Sequence, residues 1–232
     1  MSLPKHLVVF CEGQTEQHFC EQVIQPHLFP FGDGTVYTLP VGEKDHHHLY
    51  GIGRRTKYDR VRKFICNTIK RREGKNVYFT TLFDLYALPT DFPGKDTNVR
   101  NSADPTPYVL ALEEGFRQNI DYHRFIPYLQ LHEYETMLFA DLDAFRTSFE
   151  NCEDAIQQLE AIAASVQSIE HIDDGRTTAP SKRIIEVIPE YDGRKSSAGP
   201  DIAAYIGIPA IRAKCPHVHS WLIQLENLPW EA

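Results

Sequence analysis

Acidic side chains follow three of the four hydrophobic, strand-like runs in this 232-residue chain. Glu12 ends the first run, with Glu16 four residues later, and Asp84 ends the third. Glu133 and Glu135 follow the fourth. Carboxylates that meet at one place repel each other unless a cation neutralises them, and Mg²⁺ binds through such oxygens. The pattern predicts a site for Mg²⁺ or Mn²⁺.

Each acid also has an ordinary structural interpretation. Glu16 can be a first-turn acid that the helix dipole favours, and Asp84 can cap a turn. The joint placement at three strand ends favours a metal site over these separate explanations.

The alternation of elements predicts how these acids come together. Strands are predicted over residues 6–11, 35–41, 76–83 and 125–131, and helices over 57–72, over 107–120 and from Thr15 to about Pro26. Strands that alternate with helices indicate an α/β fold, here with a mainly parallel sheet of about four strands. Ligands of such sheets bind beyond the carboxyl ends of the strands, which is where the acids lie.

The last third of the chain has mostly helical patterns. Candidate helices cover residues 134–140, 151–169, 181–188, 199–206 and 216–226. We predict an α/β domain over residues 1–142 and a helical extension over 143–232 that packs on it. The sequence leaves open whether this extension is a subdomain or a set of extra helices on the sheet.

The charge is unevenly distributed. The net charge of −8 argues against a protein that coats nucleic acid by bulk charge. Residues 54–75, however, contain ten lysines and arginines against two acids. Their helix, which includes Arg62, either guides a phosphate backbone or presents a solvated face. Lys182 and Arg183 near a helix start, and Lys195 in the next linker, are further candidate phosphate ligands; surface solvation is the alternative for them too.

Several other classes of site are disfavoured. The five cysteines include no C-x-x-C pair, so reduced, buried thiols are expected rather than a zinc ribbon or a disulfide framework. Residues 46–48 are three consecutive histidines, interpreted as a loop feature. No glycine-rich phosphate motif is present, so the chain is not expected to bind ATP. No apolar stretch is long enough to span a membrane, and no signal peptide is evident, which predicts a cytoplasmic protein without membrane contact.

A family resemblance adds to this interpretation. Residues 11–16, C-E-G-Q-T-E, resemble the opening V-E-G-x-T-E of a widespread bacterial family of Toprim-like proteins, classed as a domain of unknown function. Residues 81–94, 124–141 and 173–184, together with Tyr191 and Trp221, also resemble the family, so the likeness covers nearly the whole chain. It implies a Toprim fold, which occurs in topoisomerases, primases, small ribonucleases and overcoming-lysogenization-defect (OLD) type nucleases.

The resemblance also implies site residues. Toprim enzymes bind Mg²⁺ through a Glu after the first strand, matched by Glu12, and an Asp-x-Asp after the third. Asp84 matches the first Asp of that pair, but Tyr86 stands where the second is expected. The hypothesis is therefore that Glu12, Glu16 and Asp84 are catalytic, and that Glu135 and Asp141 complete the ligands with Glu12 and Asp84.

The acids and the resemblance together predict a metal-dependent nuclease that acts on nucleic acid. The resemblance implies an ABC-type or SMC-like ATPase partner encoded nearby, in DNA repair or phage defence. The alternative is a non-catalytic subunit that binds nucleic acid or a partner through a degenerate Toprim site.

Overall fold

The computed structural model describes residues 6–32, 34–41, 43–45, 48–50, 57–72, 76–98, 104–172, 175 and 177–229. His46 and His47 of the histidine run, and Arg54, Arg55 and Lys75 of the basic segment, lie outside these residues. Among the described residues, no helix combines the length and apolarity needed to cross a membrane.

A parallel sheet of five strands forms the centre of the fold. The strands of the chain are β1 (His6–Cys11), β2 (Thr35–Pro40), β3 (Glu43–Asp45), β4 (His48–Tyr50), β5 (Val77–Asp84), β6 (Phe125–Ile126) and β7 (Leu129–Gln130). The sheet has the order β2-β1-β5-β6, with β7 also paired to β5, while β3 and β4 form a separate antiparallel pair. The α/β class with a mainly parallel sheet is thereby confirmed.

One predicted strand is divided in two. The run over 125–131 forms β6 and β7 instead of one strand, with Pro127 between them. Proline has no N–H to donate to a ladder, so pairing with β5 stops and resumes.

Helices flank the sheet and make up most of the C-terminal part. They are α1 (Gln14–Phe19), α2 (Gln25–Leu28), α3 (Tyr58–Arg72), α4 (Thr106–Ile120), α5 (Glu153–Ala164), α6 (Pro180–Val187), α7 (Lys195–Lys214) and α8 (Pro216–Glu226). The first predicted helix continues past Pro26, because a π-helical turn, Cys20–Ile24, joins α1 to α2 and Pro26 stands in the first turn of α2. The candidate helix predicted over residues 134–140 is present as the 3₁₀ helix Tyr134–Ala140.

Helix α7 extends beyond the predicted 199–206 at both ends: it begins at Lys195 because Pro200 is accommodated, and a second helical segment continues after a break at Gly207. Pro200 cannot donate to the carbonyl of Ser196, and His18 Nδ1 donates to that carbonyl instead, at 2.8 Å. Pro209 follows a break at Gly207, whose φ of 75° lies in the left-handed region that favours glycine. Helix α1, which carries His18, is therefore tied to α7.

The two faces of the sheet have separate hydrophobic cores. Leu7, Val9 and Cys11 of β1 join one core, which extends to α7 and α8, while Val8 and Phe10 join the other, with α3 and α4. This division follows from the alternation of side chains along a strand. The boundary predicted between residues 142 and 143 stays a prediction.

Candidate functional site

Glu12 connects the ends of the two central strands. It follows β1 directly, and its Oε2 accepts a hydrogen bond from the backbone N–H of Asp84, with an N···O distance of 3.1 Å. Asp84 is the last residue of β5, which pairs with β1 in parallel. The structure thus brings two of the predicted metal ligands to the same edge of the sheet.

Glu16 is turned back onto the start of α1. Its Oε2 accepts a hydrogen bond from the backbone N–H of Gly13 at 2.6 Å, and the residue is buried. Gly13 is the N-cap of this helix, so the prediction of Thr15 as the N-cap is wrong. Glu16 satisfies a backbone N–H at the helix terminus, as the acid of a capping box does. This interaction holds its carboxylate close to the end of β1.

Glu133 and Glu135 connect the sheet to the C-terminal helices. Glu133 Oε2 accepts a hydrogen bond from the backbone N–H of Ser181, in the first turn of α6, at 3.0 Å. Glu135 Oε1 accepts one from the Tyr191 hydroxyl at 3.3 Å and lies 3.9 Å from Lys195 Nζ. Both glutamates are buried. Of the predicted phosphate ligands, Lys195 is therefore brought next to an acid of the site.

These acids interact electrostatically and form one group, which we call the carboxylate cluster: Glu12, Glu16, Asp84, Glu133 and Glu135. Burial is the main cause that raises the pKa of both Glu12 and Asp84 well above the ordinary values, and the charges of the other cluster members raise it further. Burial also raises the pKa of Glu16. The pKa of Glu135 rises to about 7, through burial and the charge of Glu133, with Lys195 acting in the opposite direction. The cluster is therefore costly to ionise without a cation.

Two buried polar atoms beside these acids have no hydrogen-bond partner among the described residues. They are Asp84 Oδ1, within the carboxylate cluster, and the Tyr134 hydroxyl. Burial raises the pKa of Tyr134, and the charges of Glu135 and Glu16 add to this, so its ring belongs to the same surroundings. Buried polar atoms are normally satisfied, and an exception at a site points to an absent ion, water or ligand.

The side chains of the carboxylate cluster are not arranged as the coordination shell of a metal ion. Among the described residues, no group of three or more His, Cys, Asp or Glu side chains is placed so that it could hold a metal ion. The reason is visible for the four glutamates, each of which has an oxygen bound to a backbone N–H or a tyrosine hydroxyl. The donor set, made of carboxylate oxygens with a partnerless Asp84 Oδ1, fits Mg²⁺ or Mn²⁺ by its chemistry. Binding would require side-chain rotation.

Other predicted site residues lie outside the cluster. Asp141 is exposed, and its Oδ1 accepts from the Asp143 backbone N–H at 3.1 Å, which caps a 3₁₀ helix. Arg62 Nε donates to the Asn119 carbonyl at 3.3 Å, near the end of α4. Arg183 Nε donates to the Thr178 carbonyl at 2.6 Å, and Lys182 is exposed on α6.

The comparison with protein families covers nearly all of the chain. The family model described as Domain of unknown function (DUF4276) matches residues 11–226. The chain belongs to the DUF4276 family. That match spans the whole carboxylate cluster of the DUF4276 domain. No curated protein and no solved structure matches the chain. The predicted membership in a domain-of-unknown-function family is confirmed, and the relation to Toprim nucleases stays a prediction.

Sequence reasoning assigned no site role to two tyrosines that adjoin the cluster of the DUF4276 domain. Tyr134 and Tyr191 are both buried, and Tyr191 donates to Glu135. The available signal was the run of residues 132–139, in which charged residues interrupt an apolar segment that continues to Phe139. Acids in such a run are buried, and buried acids require neighbours that donate hydrogen bonds.

We predict that Gly199→Val disturbs the cluster through these tyrosines. A Cβ at Gly199 would lie 3.1 Å from the Tyr191 hydroxyl and 3.2 Å from Tyr134 Cε1. Overpacking of this kind costs about 1–3 kcal/mol, measurable by urea unfolding. Gly193→Val is the matched control, because a Cβ there meets no atom of the described residues within 4 Å. Equal destabilisation by both variants would contradict the prediction.

Proposed function

We propose that the carboxylate cluster binds Mg²⁺ or Mn²⁺ and that the protein is a metal-dependent hydrolase that cleaves phosphodiester bonds in nucleic acid. One observation carries the proposal. Buried and half-buried acids from three separate parts of the chain converge at the carboxyl edge of a parallel sheet, and Asp84 Oδ1 has no hydrogen-bond partner there among the described residues. A buried carboxylate group of this size is stable in ionised form only with a cation beside it.

The residues divide naturally into roles. Glu12 and Asp84, linked across the strand ends, are the first ligands of the ion. Glu133 and Glu135 stand in for the second Asp of the Toprim pattern, whose position Tyr86 occupies. Glu16 is a further ligand or the base that accepts a proton from the attacking water. Lys195, 3.9 Å from Glu135, is the cation that would contact the substrate phosphate. When bound, a divalent ion activates water and neutralises charge on a phosphodiester.

The position of the basic helix favours a nucleic-acid substrate, but only the cations near the start of the helix contribute to this argument. In a parallel β-α-β unit the helix runs opposite to the strands, so α3 begins at the edge where the cluster lies. In agreement, the backbone N–H of Tyr58 donates to Asp91, which follows β5. Arg72, at the other end of α3, lies over the ring of Tyr37 on β2, 5.3 Å from its centroid. Lys57, the residue before α3, and Arg60 in its first turn are therefore the described cations of this segment best placed to guide a strand to the site.

The proposal is tested first by metal binding. Titration calorimetry with Mn²⁺ is expected to show binding by the wild type. Asp84→Asn and Glu12→Gln should weaken it by about tenfold or more. Asp141→Asn is the matched control, because it removes an exposed carboxylate outside the cluster while Asn can still cap the turn.

Cleavage is tested in a second step, on plasmid, single-stranded DNA and RNA with Mg²⁺ or Mn²⁺. The wild type and Asp141→Asn are expected to cleave, and the two cluster variants are not. Cleavage that survives both cluster changes in folded protein would overturn the assignment. Affinity for the polymer should fall steeply with salt if phosphates are contacted.

A second candidate is a non-catalytic subunit that binds nucleic acid or a protein partner. The observation in its favour is that Tyr86 replaces an acid and that each cluster glutamate already has a hydrogen-bond donor. Polymer binding without metal-dependent cleavage would support it. The ABC-type or SMC-like ATPase partner is a proposal common to both functions, and co-purification with the product of a neighbouring ATPase gene tests it.

A further inference from the structure

A cavity of about 550 Å³ lies away from the carboxylate cluster. Its walls come from the first half of α4, the turn between β6 and β7, residues 167–171 and α8. The volume falls within the range of small-molecule sites. No member of the carboxylate cluster lines it, so the proposed hydrolase site gives it no role.

One wall is a rigid aromatic stack. Tyr128 stacks on both His217 and Trp221, with ring centroids 5.1 Å and 4.3 Å away and interplanar angles of 20° and 13°. Trp221 Nε1 donates to Thr80 Oγ1 at 2.9 Å, which fixes the indole against β5. All three rings of the stack are buried. A wall held in this way is preformed and loses little conformational freedom when a ligand binds.

The polar part of the wall is acidic. It contains the carboxylates of Asp104, Glu113 and Glu170 and the imidazoles of His171 and His217; among the described residues, no lysine or arginine lines the cavity. Glu113 Oε1 accepts hydrogen bonds from His217 Nε2 at 3.0 Å and from the Leu129 backbone N–H at 2.8 Å. The Glu113 side chain lines the cavity and is 11% exposed. Such a lining repels anions and favours a ligand that donates hydrogen bonds and carries positive charge.

We propose that this cavity is a binding site for a small organic cation with a flat amidine, guanidine or amine group. The cation would lie beside the aromatic wall, with its N–H groups directed at Glu113 and Asp104. Carboxylates bind such groups through charge-assisted hydrogen bonds, and the aromatic rings form the apolar wall beside them. The site is separate from the proposed hydrolase site, and its occupancy does not depend on whether that function is correct.

Three isosteric probes test the proposal on the full-length chain. Benzamidine, benzamide and benzoate share one shape and differ in charge. Trp230→Phe leaves Trp221 as the reporter, since the chain has two tryptophans. Benzamidine is expected to change Trp221 fluorescence with saturation and to bind about tenfold or more tightly than benzamide, with no measurable binding of benzoate.

Two variants localise the effect. Asp104→Asn removes an exposed charge, and the Asn can still accept the hydrogen bond from the Thr106 backbone N–H. It should weaken benzamidine binding several-fold. Glu113→Gln should weaken it about tenfold or more. Glu114→Gln, the adjacent acid outside this cavity, is the control and should leave it unchanged. Binding that is absent, equal for benzoate, or unaffected by both cavity variants would overturn the proposal.

Discussion

Metal-free protein is expected to lose roughly 2 to 3 kcal/mol of unfolding free energy as the pH rises from about 5 to about 8. Glu135 alone accounts for this amount, because burial and the charge of Glu133 raise its pKa from 4.5 to about 7. The raised pKa values of Glu12, Glu16 and Asp84 add to the loss. A carboxyl group with a raised pKa holds its proton more tightly in the folded protein than in the unfolded chain. The stabilisation that the Glu135 carboxyl group contributes is complete at pH values below its pKa in the unfolded chain. It is lost as the pH rises through about 7, the pKa in the folded protein. Urea unfolding in the presence of a chelator measures it.

Two comparisons isolate the cause. Glu135→Gln removes the titrating group with little change of shape. The change in unfolding free energy of this variant between about pH 5 and about pH 8 should therefore be smaller than that of the wild type by the same roughly 2 to 3 kcal/mol. The comparison with this variant is needed because the pKa of His217 is also raised: burial lowers it, but Glu113 and Glu170 outweigh that effect. Mg²⁺ or Mn²⁺ should flatten the wild-type curve, because a bound cation stabilises the ionised cluster. A wild-type stability that is flat or rises over this range would contradict the prediction.

The elements predicted best are those whose local pattern has one physical interpretation. The run of residues 6–11 is apolar and β-prone and ends at Glu12, and β1 covers just that run. Helix α3 starts at Tyr58, one residue after the predicted start. It was predictable because its apolar residues recur at helical spacing, opposite a basic face. Helix α8 keeps its predicted bounds.

The elements predicted worst depend on contacts between distant parts of the chain. Pro200 would interrupt an isolated helix, and nothing near it in sequence shows that His18 will bind the freed carbonyl of Ser196. Tyr134–Ala140 is helical as predicted, but nothing near it in sequence shows that Glu133 will bond to α6 or Glu135 to Tyr191. Local propensity does not encode such contacts between distant parts of the chain.

The candidate site shows the same division. Glu12 and Asp84 were predictable as neighbours, because parallel strands place their carboxyl ends at one edge. Which of Glu135 and Asp141 lies in the carboxylate cluster was not predictable, because both follow the same strand within a few residues. The structure turns Glu135 into the interior and leaves Asp141 exposed as a cap. Only the path of the 3₁₀ helix between them distinguishes the two.

Trp221→Ala is expected to lower the unfolding free energy by about 3–5 kcal/mol, the cost of deleting a large buried side chain. Trp221 is 1% exposed, stacks on Tyr128 at 4.3 Å and donates to Thr80 of β5. Removing it leaves a cavity and takes away the donor to the buried Thr80 hydroxyl. Urea unfolding followed by circular dichroism measures the loss. Ile223→Ala, on the exposed face of α8 at 40% exposure, is the control and should change stability by about 0.5 kcal/mol or less.

The shape of the Trp221→Ala transition tests the predicted division at residues 142 and 143. Trp221 belongs to the C-terminal extension, but its hydrogen bond and its stacking partner belong to residues 1–142. If the extension folds only by packing on the sheet, the whole chain should unfold in one transition at lower urea. An early transition confined to helical signal, with the remainder at the wild-type midpoint, would instead show that residues 143–232 unfold independently. A single shifted transition would mean that the α8 contacts stabilise the sheet whose edge carries Glu12 and Asp84.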